Sequence, residues 1–92
     1  MDNLSIEDRR AIIKDIEEAL ASGDISLGAA IKRIRTELYG MNQAHYAKFL
    51  GVADRTLRDI EKGKTDPRLS IVEKLLAPAG LRLSAKAVNH KL

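Results

Sequence analysis

Apolar residues recur at three- and four-residue spacing through most of this chain, and that period predicts helices. The first runs from Ile6 to Ala21. Ile6, Ile13, Ile16 and Leu20, with Ile12 and Ala19 beside them, form its apolar stripe. Ser5 stands as its N-cap, with Asp8 in the third helical position as an approximate capping box, and Gly23 ends it. A second helix spans Leu27 to Leu38, capped by Asp24 or Ser26 and ended by Tyr39-Gly40. Asn42 caps a third, Gln43 to Leu50, with Met41 and Tyr46 spaced as a hydrophobic staple. A fourth follows Gly51, from Asp54 to Lys62, and Gly63 stops it. Asp66-Pro67 opens a fifth, with Pro at the first helical position and Ile71, Val72, Leu75 and Leu76 on its apolar face. Pro78 and Gly80 close it.

The period then changes. Leu81-Arg82-Leu83-Ser84-Ala85-Lys86 alternates apolar with polar, as a half-buried strand does. A lone strand leaves its ladder groups unpaired, so pairing with the same strand of a second copy is the simplest remedy. Leu81, Leu83 and Ala85 are then the dimerising residues, and the duller reading is a disordered tail. The expected fold is all-α, with an extra helix in residues 1–23, a helical domain in 24–80 and a strand or tail in 81–92.

Composition narrows the chemistry. Ninety-two residues make one domain near the low end of what buries its own core. There is no cysteine, which excludes disulfides and thiolate metal sites, and His45 and His90 are too few and too isolated for a metal. No metal and no cofactor is expected. Neither is catalysis, because no Gly-rich phosphate loop and no Ser-His-Asp set is present. No apolar run reaches the length of a membrane span, so the expected location is the cytoplasm, at the nucleoid. Net charge is +3, unevenly spread. Residues 1–23 hold three basic and six acidic side chains, a net of −3, and the remainder is +6. The basic part suits a polyanion, and the acidic helix should lie away from it.

The informative stretch is Asn42 to Pro67. Ala47 is small where two short helices cross, Gly51 lets the backbone turn sharply, and Leu50, Val52, Leu57 and Ile60 anchor the next helix. That helix then presents Asp54, Arg55, Arg58 and Asp59 outward. This is the helix-turn-helix pattern, whose second helix enters the major groove.

Asn-Gln-Ala-His-Tyr-Ala-Lys-Phe-Leu-Gly-Val, followed by Thr-Leu-Arg-Asp-Ile-Glu-Lys-Gly-Lys-Thr-Asp-Pro, resembles the Xre or lambda-repressor-like family over about residues 27–80. The tail Leu-Ala-Pro-Ala-Gly-Leu-Arg-Leu-Ser resembles, more narrowly, HipB-like antitoxins, which dimerise through a C-terminal strand. The resemblance implies five family helices, the last at Leu69–Ala77, and a double-stranded DNA operator as partner. It implies that Gln43, at a helix N-terminus, contacts a phosphate, which orphan N–H groups and the helix dipole favour there. Arg55 is the best base reader, since a guanidinium bonds bidentately to guanine. Asp54 and Thr56 flank it, Arg58 reaches a base or the backbone, and Lys62, Lys64 and Arg68 form a basic rim for phosphates. The resemblance also pairs Glu61 with Arg35, which makes Glu61 structural.

Two departures stand out. Ala53 occupies the place where the family caps the recognition helix with Ser or Thr, so Asp54 is a candidate cap. Asp54 and Asp59 put negative charge on the presumed DNA face. Either they sharpen specificity, or they hold Arg58 and Arg55 as i, i+4 partners, the reading preferred here. The function expected is a homodimeric repressor, in its sharper form an antitoxin that regulates its own operon and binds a HipA-like kinase toxin. A free-standing phage or plasmid repressor, and an interaction module that has lost DNA binding, are the alternatives.

Overall fold

The computed structural model describes residues 4–88, so His90 and the end of the tail lie outside it. Five α-helices carry the chain: α1 (Ile6–Ser22), α2 (Leu27–Arg33), α3 (Gln43–Leu50), α4 (Asp54–Lys62) and α5 (Leu69–Leu76). The expected capping residues act as such. Ser5 Oγ accepts from the Asp8 N–H at 3.0 Å while Asp8 accepts from the Ser5 N–H at 3.3 Å, a reciprocal capping box. Ser26, rather than Asp24, caps α2 by accepting from the Ala29 N–H, and Asn42 caps α3 through the His45 N–H.

Three elements differ from expectation. Residues 34–38 complete the second helix as a π-helical turn (Ile34–Leu38), in which Ile34, Arg35 and Leu38 are all buried. A wider turn leaves its last carbonyls unpaired within the helix. Arg9 of α1 donates to the Leu38 carbonyl at 3.2 Å and lies over the Tyr39 ring at 5.2 Å. The fifth helix starts at Leu69 with Arg68 as N-cap, so Pro67 precedes it and is not its first residue. Its other end finishes in a 3₁₀ turn, Ala77–Ala79, because Pro78 has no N–H with which to continue the α-helix.

The third difference is the tail. Among the described residues, 81–88 form no strand. The period-two pattern survives only as far as Leu83. Leu81 and Leu83 pack against the core, while Arg82, Ser84 and Ala85 are exposed. The Leu83 N–H donates to Glu73 Oε2 at 2.6 Å. A ladder needs a neighbouring strand, and one chain offers none, so the segment docks on its own α5 instead.

Ile16 of α1 joins Ile31, Ile34, Leu38, Leu57, Val72 and Leu75 in a single buried cluster. α1 packs on α2 and the π turn, and α2 packs on α4, so α2 separates the acidic helix from α4. Two tyrosines stitch this layer to α5. Tyr46 is fully buried and donates to the Leu75 carbonyl at 3.0 Å, and Tyr39 donates to the Pro78 carbonyl at 2.6 Å. Burial pushes the Tyr46 hydroxyl's pKa up, which keeps it a donor.

Gly28 marks a close contact between elements. A Cβ at this position would meet the Ile60 carbonyl oxygen at 2.2 Å and the Glu61 oxygen at 3.0 Å. Both obstacles are backbone, so the start of α2 touches the last turn of α4 directly. Gly28→Ala has to push α4 outward, and overpacking of this kind costs about 1–3 kcal/mol. Chemical denaturation is expected to show that loss, and unchanged stability would mean that α2 and α4 are free to separate.

Candidate nucleic-acid interface

α3 and α4 are joined by Gly51-Val52-Ala53. Gly51 has φ +69, and its N–H and that of Val52 return to the Lys48 and Ala47 carbonyls at 3.2 and 2.8 Å. This closure ends α3 abruptly and needs the left-handed conformation that glycine adopts without strain. Ala47, Val52, Leu57 and Ile60 are buried below the turn, as their spacing required. The opposite face of α4 is left for polar groups. Arg55 and Arg58 are exposed there, and Asp54, Thr56 and Asp59 are partly covered.

The base of α4 is held by charge. Glu61 accepts from Arg35 Nε and Nη2, both at 2.8 Å, with the two side chains only 3% and 8% exposed. The third Arg35 nitrogen, Nη1, donates to the Met41 carbonyl at 2.9 Å. The structural pairing expected for these residues is therefore present, and it reaches further. Gln43 Nε2 donates to Glu61 Oε1 at 2.9 Å. One carboxylate thus links the π turn, the first residue of α3 and the last turn of α4.

The polar face is arranged unequally. Arg58 Nη2 donates to Asp54 Oδ2 at 2.5 Å, the i, i+4 pair anticipated from spacing. That bond raises the Arg58 pKa further, with the nearby Asp54 charge adding to it. Among the described residues no ion pair joins Arg55 to Asp59, so the second anticipated pair does not form. Asp54 does not cap α4 either. Ala53 is the N-cap, and no side chain bonds the first turn's N–H groups. Those donors are left facing outward at the positive end of the helix dipole.

Thr56, Asp59 and Arg68 come together in a shallow cleft of about 380 Å³ with Val52, Ala53 and Thr65–Pro67. Lys62 and Lys64 are exposed where α4 ends. Gln43, Arg55, Arg58 and these three cations therefore belong to the α3–α4 unit and its following loop. Leu81 and Leu83 belong elsewhere, their N–H groups bonded to Leu76 and Glu73 of α5, and Ala85 is exposed beyond them.

A family model described as helix-turn-helix matches residues 31–85, more than half of the chain. The protein belongs to the Xre, lambda-repressor-like helix-turn-helix family. No curated protein and no solved structure is significantly similar to it. Membership makes this helix-turn-helix protein a DNA-binding transcription regulator. No helix among the described residues is long and apolar enough to cross a membrane.

Spacing missed three features of this regulator. The Gln43–Glu61 bond spans 18 residues, and nothing in local periodicity announces it. Gly28 carried a signal, since a glycine in the first turn of a helix costs stability unless something needs its missing side chain. The Tyr39 and Tyr46 hydroxyls were further unclaimed donors on a chain poor in aromatics.

Glu61→Gln leaves the Arg35 guanidinium buried without its counter-charge. Breaking one side of such a pair costs about 3–5 kcal/mol. Thermal unfolding followed by circular dichroism should show a large drop in Tm, and an unchanged Tm would contradict a structural role for the pair.

Proposed function

We propose that the protein is a homodimeric repressor that binds a double-stranded DNA operator through α4. The observation that carries this is the rigid presentation of two outward arginines. α4 is fixed at its far end by the Gly28 contact and the Arg35–Glu61 pair, so Arg55 and Arg58 project at a set angle. In this reading Arg55 and Arg58 address bases with Thr56 beside them, and Asp54 and Asp59 modulate them. Lys62, Lys64 and Arg68 contact phosphates, and so does the N–H of Gln43 that Glu61 does not take. The acidic α1 lies behind α2, where it does not oppose the phosphates.

Dimerisation is assigned to the tail. The N–H groups of successive residues in an extended segment point to opposite edges, and Glu73 occupies the edge that carries the Leu83 N–H. The edge bearing the Arg82 and Ser84 N–H groups is open. Antiparallel self-pairing about Leu83 then sets Leu81 opposite Ala85 of the partner subunit, and Arg82 opposite Ser84 of the partner subunit. Pairing centred on Ser84 would instead oppose Arg82 with Lys86, a like-charge contact.

The sharper form of the proposal is a HipB-like antitoxin that represses its own operon and binds a HipA-like kinase toxin. Its support is the likeness of the tail, together with an outer face of α1 left clear of the helix-turn-helix unit. Cytoplasmic location at the nucleoid follows from the same reading. One observation favours a second reading, a protein-interaction module: two carboxylates lie on the face offered to a polyanion.

Duplex titration separates the two. A repressor binds a subset of genomic fragments, and its affinity falls steeply as salt rises. Arg55→Ala with Arg58→Ala should abolish selective binding, while an absence of binding across the fragment pool would favour the module.

Cross-linking tests the strand. The chain has no cysteine, and cross-strand pairs without mutual hydrogen bonds lie close enough for a disulfide. Leu83→Cys should give an oxidised, covalent dimer, and Ser84→Cys should give little. The reverse pattern, or a monomer by sedimentation, would overturn the pairing.

A further inference from the structure

The two arginines on the outer face of α4 are not equivalent. Arg58 is bonded to Asp54 one turn earlier, whereas Arg55 has no ion pair among the described residues. Asp54 is equally committed. Its Oδ2 accepts from Arg58, and its Oδ1 is shut off from solvent with no donor. Among the described residues no other donor reaches that carboxylate. It is the first residue of α4, yet it leaves the helix's orphan N–H groups alone.

We propose that Asp54 is the positioning residue that makes Arg58 a guanine reader rather than a phosphate contact. This rests on the duplex-binding reading above and concerns how that site discriminates. A guanidinium carries five N–H donors in a rigid fork, and Asp54 holds the Nη2 side. The rest of the fork stays free to donate to guanine O6 and N7 in the major groove. Fixing the fork fixes the one base edge it fits. The same carboxylate works against the wrong contact. A phosphate approaching Arg58 also approaches Asp54, and like charges repel, so backbone binding gains little from this arginine. Guanine presents neutral acceptors and meets no such penalty. Arg55 has no anion tied to it and remains available to either group.

Site selection from a randomised duplex pool tests this. It is run for the wild type, Asp54→Ala, Asp54→Asn, Arg58→Ala and Arg55→Ala, with affinity for a random-sequence duplex measured across a salt series. The wild type should select guanine at one position. Arg58→Ala and Asp54→Ala should both lose that preference, each by about tenfold or more, the discrimination typical of one bidentate contact. Arg55→Ala should weaken duplex binding and lose whatever contact Arg55 makes, while the guanine position read by Arg58 stays selected. Asp54→Ala should also bind random duplex more tightly, with a salt slope steeper by about one because Arg58 is released to a phosphate. Asp54→Asn keeps an acceptor oxygen without the charge, so it should retain part of the guanine preference while gaining random-duplex affinity. A merely structural Asp54 would change the melting temperature and leave base preference alone. Asp54→Ala that tightens selected and random duplexes equally, with guanine still preferred, overturns the proposal and leaves duplex binding standing. A wild type that selects no sequence removes both.

Discussion

The helix-turn-helix unit hangs on the ion pair between Arg35 and Glu61. Glu61 is in the last turn of α4, Arg35 is in the π turn, and both are nearly sealed from water. A carboxylate in that setting is tolerable only if its lone pairs are taken, and three donors take them, two from Arg35 and one from Gln43. Arg35 has its remaining end on the Met41 carbonyl. The chain between the π turn and α3 is thereby tied to the far end of α4. Electrostatic satisfaction and the buried apolar contacts of Ala47, Val52 and Leu57 together set how the two helices of the motif meet. Gly28 adds the steric half of the same constraint, because backbone meets backbone there.

The periodic core was readable from the chain alone. Ile16, Ile31, Leu57 and Leu75 all recur at helical spacing, and all are fully buried. Caps were equally legible at Ser5 and Asn42, where a short polar side chain satisfies the orphan N–H groups of the following turn. The boundaries that moved did so for non-local reasons. Pro67 is compatible with a first helical turn, but α5 begins only at Leu69, after an N-cap that lends no side-chain bond. The end of the π turn is bonded by Arg9, 29 residues from the carbonyl it satisfies. The tail's alternation holds for Leu81 and Leu83, but Ala85, expected on the same face, is exposed. A ladder needs a second strand, which no single-chain pattern supplies.

The candidate interface was legible to a different degree. Residue types and spacing brought Arg55, Arg58, Lys62, Lys64 and Arg68 to one unit, because helix geometry and one short loop place them there. Spacing could not rank them. Asp54 and Arg58 bond while Arg55 and Asp59, at the same separation, do not. Side-chain pairs four apart on an exposed helix gain only about 0.2–0.5 kcal/mol, so either outcome is physically cheap. Gln43 was assigned by its place at a helix start. Its amide turns out to serve the buried carboxylate too, so the contact assigned to it would be made by a side chain already oriented.

Charge segregation gives the fold a direction. α1 is acidic and packs on α2 and the π turn, where an exposed Asp15 meets a partly buried Arg33 at 2.9 Å. A pair with one exposed partner contributes less than about 1 kcal/mol, so α1 is held mainly by Ile16 and its apolar neighbours, with Arg9 adding its bond to the Leu38 carbonyl. Asp8 caps its first turn and Asp15 meets Arg33, while Glu7, Glu17 and Glu18 are exposed. Placed behind α2, they leave the positive side of the molecule open to a polyanion. Had the same helix packed on α4, its field would have opposed the arginines within a Debye length of about 8–10 Å. The fold keeps the acidic helix and the arginines on different sides of α2, and this lets one small domain carry both.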